Sequence, residues 1–213
     1  MKTFILTIAL VFFGFVAGAQ NESDKFLIEK GTWSLGGSVG VNSNNSDNEN
    51  SEYENFGFTL RPQAGYFIND NLAAGLTLGY HYSRNKYTRP DELQEATNNA
   101  FTIAPYLQKY FAISGSFSFN LTGFLEYTRS TSKNDYDNCL NCQKDTRNLY
   151  GIALRPGLSY LLSDKFSLDA NLGTLQYSHS EFREDGIDRA TTNSFAFSFG
   201  LSNIYLGLTF YLN

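Results

Sequence analysis

The stretch Phe56-Gly57-Phe58-Thr59-Leu60-Arg61-Pro62-Gln63-Ala64-Gly65-Tyr66, continued by Ile68, decides how this chain is read. Phe56, Phe58, Leu60, Pro62, Ala64, Tyr66 and Ile68 form one row, and Gly57, Thr59, Arg61, Gln63 and Gly65 the other. Period two places successive side chains on opposite faces of an extended chain, which is the mark of a β-strand. Upstream, Trp33, Leu35, Val39 and Val41 oppose Thr32, Ser34, Gly36, Ser38 and Gly40. Downstream, Phe117, Phe119, Leu121, Leu125 and Tyr127 oppose Ser118, Asn120, Thr122 and Glu126.

Extended over the chain, this pattern predicts eight strands, at 31–43, 55–68, 71–85, 100–113, 116–130, 147–162, 165–178 and 193–213. Each exceeds the roughly 5–6 residues of a soluble strand and reaches the roughly 9–11 needed to cross a bilayer. Short turns at Asn69-Asp70, around Gly115 and at Ser163-Asp164 alternate with long polar loops at 44–54, 86–99, 131–146 and 179–192. Tight turns at one end and long loops at the other are the plan of an outer-membrane barrel.

Periodicity alone does not say which row faces inward. A soluble barrel would bury the apolar row and carry about 25–35% charged residues on its wet outer face. Here the polar row is mostly Gly, Ser, Thr, Asn and Ala, and charged residues make up 17% of the 213-residue chain. Small polar side chains suit a narrow lumen, so the rings are assigned to lipid, with Tyr66, Tyr82, Tyr127 and Tyr160 near the interfaces. Hydrocarbon leaves no backbone group unpaired, so the sheet must close. The expected fold is an all-β, eight-stranded antiparallel up-and-down transmembrane β-barrel.

The remaining composition bounds the function. The only long apolar run is N-terminal, which excludes a helical membrane protein. Lys2, the run 4–16 and Ala17-Gly18-Ala19 before Gln20 have the three parts of a secretory signal. The expected division is therefore 1–19 signal peptide, 20–30 short periplasmic segment and 31–213 barrel. A formal net charge of −5 without a basic stripe argues against a nucleic-acid partner.

Two strands change parity. Phe195, Phe197, Phe199 and Leu201 are odd but Ile204, Leu206, Leu208, Phe210 and Leu212 are even; likewise Phe166, Leu168, Ala170 and Leu172 give way to Leu175 and Tyr177. Bulges near the outer interface explain both, and a tight turn at Ser202-Asn203 with additional strands is the rival reading. Leu60-Arg61-Pro62 with Tyr66 recurs as Leu154-Arg155-Pro156 with Tyr160, and Ile103-Ala104-Pro105 with Tyr110 is a looser copy.

Lys30-Gly31-Thr32-Trp33-Ser34-Leu35-Gly36-Gly37, the Pro-containing second strands of the hairpins and the closing Ile204-Tyr205-Leu206-Gly207-Leu208-Thr209-Phe210-Tyr211-Leu212-Asn213 resemble a known family. It is that of small Gram-negative outer-membrane β-barrel proteins, of the porin-like type common in Bacteroidetes. The resemblance spans the signal sequence and essentially all of the barrel. It implies location in the bacterial outer membrane and carries no catalytic motif.

Few ionisable residues fall on the lumen row: Arg61, His81, Glu126, Arg155 and Asp169. A buried charge needs a partner, so Arg61 and Arg155 are expected to be neutralised by Glu126 and Asp169, with Gln63, Gln108, Asn120 and Asn171 completing the network. Its bland role is a structural plug; the sharper one is a selectivity constriction. His81 beside Ser83, with Glu126 to orient it, is the remote possibility of a lipid-modifying enzyme, but no G-x-S-x-G, H-E-x-x-H or P-loop spacing occurs. Cys139 and Cys142 form a candidate disulfide at a loop tip in an exported chain. The first loop gathers Asp47, Glu49, Glu52 and Glu54 without the ordering of a calcium loop, so neither metal nor cofactor is expected.

The functional expectation is a non-enzymatic outer-membrane barrel with a structural, adhesive or surface-interaction role through four extracellular loops. The alternative is a narrow porin-like channel for small solutes or ions. Expected partners are outer-membrane lipid, the barrel-insertion machinery and an extracellular ligand.

Overall fold

The computed structural model describes residues 26–48, 51–89, 92–136, 144–183, 190–200 and 205–212. Ten β segments follow one another: β1 (Trp33–Asn48), β2 (Ser51–Asn69), β3 (Leu72–Arg89), β4 (Glu92–Ala112), β5 (Phe117–Tyr136), β6 (Lys144–Ser163), β7 (Phe166–Asn171), β8 (Gly173–Arg183), β9 (Ala190–Phe199) and β10 (Tyr205–Leu212). Each of β1 to β5 pairs antiparallel with the next, β6 pairs with both β7 and β8, β8 pairs with β9, and β10 joins β7 to β1. Thus β7 and β8 are two lengths of one strand, as are β9 and β10. The result is a closed eight-stranded antiparallel barrel.

The two rows point as their chemistry requires. Phe101 and Val39 on the outside are 67% and 70% exposed, whereas Ser118, Ser159 and Ser167 inside are fully buried. Lipid takes up the outward rings, so apolar exposure here is the solvent-matched state of the surface.

The interruption at Leu172 is a bulge. Between the pairs Gly157↔Asn171 and Leu154↔Leu175, three steps along β6 oppose four along the neighbouring strand. One extra residue reverses facing, so Leu168 and Leu175 both belong to the outer surface. The Leu172 N–H is satisfied by the Pro156 carbonyl at 3.0 Å. The second parity change falls between β9 and β10, and Ser202-Asn203 lies outside the described residues. Both flanking segments run antiparallel to the same neighbouring strand, so the chain keeps its direction across the gap and a turn with additional strands has no place.

Two sequence expectations need correction. The long loops are mostly strand: the ladders continue to Asn48↔Ser51, Arg89↔Glu92, Lys133↔Lys144 and Phe182↔Ala190. Beyond the bilayer both faces meet water, so the two-row pattern disappears while backbone pairing does not. The middle hairpin is also not a copy in facing. Tyr66 and Tyr160 lie four residues after their prolines and point outward, but Tyr110 lies five after Pro105 and is 3% exposed inside the barrel. Residues 26–32 fold under the barrel mouth, where Phe26 and Ile28 join one buried cluster with Phe67 and Tyr110. The proposed signal peptide at 1–19, with Cys139 and Cys142, lies outside the described residues.

Candidate functional site in the barrel lumen

At the short-turn end the lumen holds a buried, largely aromatic cluster of Phe26, Ile28, Phe67, Ala73, Tyr110 and Tyr211. Phe26 stacks on Tyr110 at 5.5 Å, and Phe67 meets Tyr110 at 5.9 Å and Tyr211 at 6.1 Å, offset and edge-on geometries that aromatic quadrupoles favour. The segment supplying Phe26 and Ile28 is held by the adjoining turns. Phe26 N donates to Ser114 O at 2.9 Å, Ile28 N to Asn71 Oδ1 at 2.8 Å and Asn71 N to Ile28 O at 2.9 Å. Asn71 makes this fit by adopting a φ of 58°, a left-handed conformation that asparagine tolerates.

Above the plug, Tyr106 and Phe124 pack with Ala104 and Ala153. The small residues of the facing strands make room for them: a Cβ placed on Gly75 would lie 2.4 Å from both the Tyr106 ring and the Ala64 carbonyl oxygen.

The next layer is polar and centres on Asp169. Its carboxylate accepts from Ser159 Oγ, from Thr209 Oγ1 at 2.7 Å and from Ser167 Oγ at 3.2 Å. Asn120 Nδ2 donates to Ser159 Oγ at 2.7 Å, and the Ser167 and Tyr211 hydroxyls lie 2.9 Å apart, which joins this layer to the plug. Asp169 is therefore satisfied by hydroxyls rather than by an arginine, contrary to the expectation from charge balance. Its neighbours across the barrel wall, Ser159 on β6 and Gly207 on β10, fix that outcome through register.

The arginines form a separate group. Arg155 lies 3.9 Å from Glu126 and places its guanidinium 4.5 Å from the centre of the Phe124 ring, a cation–π contact. Thr128 Oγ1 donates to Glu126 Oε1 at 3.1 Å and lies 2.7 Å from Thr102 Oγ1. Arg61 repels Arg155 and, among the described residues, makes neither an ion pair nor a hydrogen bond. His81 Nδ1 lies 2.8 Å from Thr59 Oγ1. Gln63 and Gln108 are half-buried, while Asn171 is exposed. No hydrogen bond ties these three to Arg61 or Asp169 among the described residues.

The barrel wall itself is asymmetric. β1 pairs with β10 from Trp33↔Leu212 to Gly37↔Leu208, where the described ladder ends. Gly37 has a φ of 150°, and a Cβ there would meet the Arg61 carbonyl oxygen, so only glycine fits this bend. Among the described residues, Ser38–Asn48 of β1 pair only with β2, and β9 pairs only with β8. Every residue of both stretches is exposed.

Residues 7–202 match the model of the outer membrane protein beta-barrel domain. The chain belongs to that family. It is a bacterial outer-membrane barrel. Similar solved structures are OprG of Pseudomonas aeruginosa (14% identity, 87% of this chain and 97% of that one, TM-score 0.49) and a major outer membrane protein of Thermus thermophilus (14%, 85% and 98%, 0.47). A third is Neisserial surface protein A (16%, 85% and 97%, 0.41). No curated protein matches the chain.

Membrane placement fixes depth. In an outer-membrane barrel the short turns face the periplasm, so the aromatic plug is the periplasmic floor. Trp33 and Tyr66, 5.1 Å apart on the outer surface, lie at that interface. A crossing of roughly 9–11 residues starting there brings Ser38–Val41 into the outer half of the membrane.

The plug residues Phe67, Tyr106 and Phe124 were missed as site residues. Their signal was parity: Phe67 shares a row with Arg61, Gln63 and Gly65, and Phe124 with Thr122 and Glu126.

Proposed function

We propose that this outer-membrane barrel is a non-conducting structural and surface-interaction protein, which meets an extracellular partner through the four hairpins β1–β2, β3–β4, β5–β6 and β8–β9. The observation carrying this reading is the periplasmic floor, in which Phe26, Phe67, Tyr110 and Tyr211 fill the cross-section and the 26–32 segment is bonded to the turns around it. An eight-stranded barrel has an interior just wide enough for side chains to fill, so a floor of four rings leaves no continuous water path. The projecting hairpins carry polar contacts, such as the Arg84–Glu95 bidentate pair at 2.6 and 2.8 Å, that hold their shape above the membrane.

The reading also assigns no catalysis to His81. Its ring is engaged by Thr59, and Glu126, the residue that would orient a base, is engaged by Thr128 and Arg155. Planar-bilayer recording of the full mature chain tests the proposal. No steady conductance is expected, and a stable ohmic conductance would favour the narrow-channel alternative.

A further inference from the structure

The outward faces of the projecting hairpins carry charge, and that charge is balanced on one side of the barrel only. On β2, β3 and β4, Arg84 is bonded to Glu95 at 2.6 Å and Lys86 lies 3.9 Å from Glu54. Around the same level of the wall the registers run Arg84↔Thr97, Thr97↔Lys133 and Lys133↔Lys144, so β5 and β6 set two lysines directly opposite each other. Like charges in that arrangement repel. Arg129 stands on the same face, nearer the membrane, between its cross-strand neighbours Phe101 and Asn148. All three cations are exposed, and among the described residues none makes an ion pair or a hydrogen bond. The carboxylates of this face lie at its margins: Asp135 is level with Glu95 further out, and Glu181 lies 3.9 Å from His179.

Depth places the three cations at the outer surface of the membrane. The pairs Phe117↔Tyr160 and Tyr127↔Tyr150 are separated along β5 and β6 by about ten residues, one bilayer crossing. Tyr127 and Tyr150, with ring centres 5.3 Å apart, therefore belong to the outer aromatic belt. Arg129 follows directly beyond that belt, and Lys133 and Lys144 stand roughly 13 Å further along the strands at the usual rise per residue. Between them the Thr131↔Thr146 pair presents two hydroxyls. Long basic side chains reach along a surface, so the arginine from below and the lysines from above bracket the threonines. A simple phosphodiester head group spans one of these levels, whereas a phosphorylated sugar spans both.

We propose that the outward face of β5 and β6 binds a phosphate-bearing glycolipid of the outer leaflet, with its phosphates on Arg129, Lys133 and Lys144. Its acyl chains lie against Leu125 and Ile152, which face each other in register and are 60% and 54% exposed to lipid. Its sugar covers the tyrosine and threonine pairs. The guanidinium matches phosphate oxygens with parallel N–H groups, and the ammonium groups act as point charges. A bound phosphate also relieves the repulsion between Lys133 and Lys144, so the lipid stabilises the folded hairpin by mass action. On the opposite flank the same chemistry is spent internally, because Glu54 and Glu95 already serve Lys86 and Arg84.

The test uses the full mature barrel in dodecylmaltoside micelles, titrated with bis-phosphorylated lipid A or with its dephosphorylated form, while native mass spectrometry counts the bound lipid. Saturable binding of the phosphorylated lipid is expected, at least about tenfold tighter than that of the dephosphorylated form, the range of one charge-assisted hydrogen bond. Arg129→Gln, Lys133→Gln and Lys144→Gln should each weaken it about fivefold, the worth of one basic side chain at an anionic lipid surface. Lys86→Gln, on the balanced flank, should leave it unchanged. The phosphorylated lipid should also raise the unfolding midpoint of the unaltered chain more than that of Lys133→Gln. If Arg129→Gln fails to fold, the two lysine variants and the ratio between the two lipids still decide. Absence of saturable binding, equal affinity for both lipids, phosphatidylglycerol bound as tightly as phosphorylated lipid A, unchanged affinity in the lysine variants, or an equal loss in Lys86→Gln would each overturn the proposal. None of these readouts measures conductance or a soluble partner, so failure here is distinct from failure of the non-conducting, surface-interaction reading.

Discussion

The two ends of β1 obey the same alternation and meet opposite surroundings. Trp33–Gly37 is bonded on both sides, to β2 and to β10, and sits beside the aromatic floor; among the described residues Ser38–Asn48 pairs with β2 only, with every residue exposed. The difference teaches that closure of this barrel is concentrated in its periplasmic half. There the first and last strands are zipped, rings fill the centre and Asp169 ties the hydroxyl and carboxyl groups of three strands, β6, β7 and β10, together.

The strongest way to break this contrast is to empty the floor. Phe67→Ala and Tyr110→Ala should each cost about 3–5 kcal/mol, the range for removing a large buried ring, read as a lowered unfolding midpoint in bilayers. Combined, they should produce a steady conductance, where none is expected of the unaltered chain. Asp169→Ala should cost about 2 kcal/mol, because it strands the Ser159, Ser167 and Thr209 hydroxyls together. Overpacking comes next: Gly75→Val drives a side chain into the Tyr106 ring and should cost about 1–3 kcal/mol. At the bottom of the scale, Arg84→Ala on the outer hairpins should leave the unfolding midpoint unmoved in denaturant titrations. Its bond to Glu95 is solvent-exposed, where ion pairs contribute little. A large loss at Arg84 with none at Phe67 would invert the account of where cohesion lies.

The wall of this barrel was legible because lipid and lumen sort side chains at period two. Even the Leu172 bulge appeared as a parity change between Leu168 and Leu175. The outer hairpins were not legible, since Asn44–Asn48 and Ser51–Glu54 have water on both faces and nothing to alternate for. Among the lumen residues, charge balance set Arg61 and Arg155 together against Glu126 and Asp169, and Arg155 lies 3.9 Å from Glu126. It misassigned Asp169, whose partners Ser159 and Thr209 are chosen by register around the barrel, a property no local window contains. The floor and the end of the β1–β10 ladder share that origin. Both depend on how the first and last strands come together, through Tyr211 beside Phe67 and through Gly37 where β1 leaves β10.

Amide hydrogen exchange along β1, resolved residue by residue in lipid nanodiscs, tests the central claim most directly. Continuous protection over Trp33–Gly37 is predicted, followed from Ser38 by alternation, with the amides turned away from β2 exchanging rapidly and those bonded to β2 remaining protected. Uniform protection from Trp33 through Ser43, equal to that of β3, would mean that the barrel is zipped along its whole height and would contradict the account.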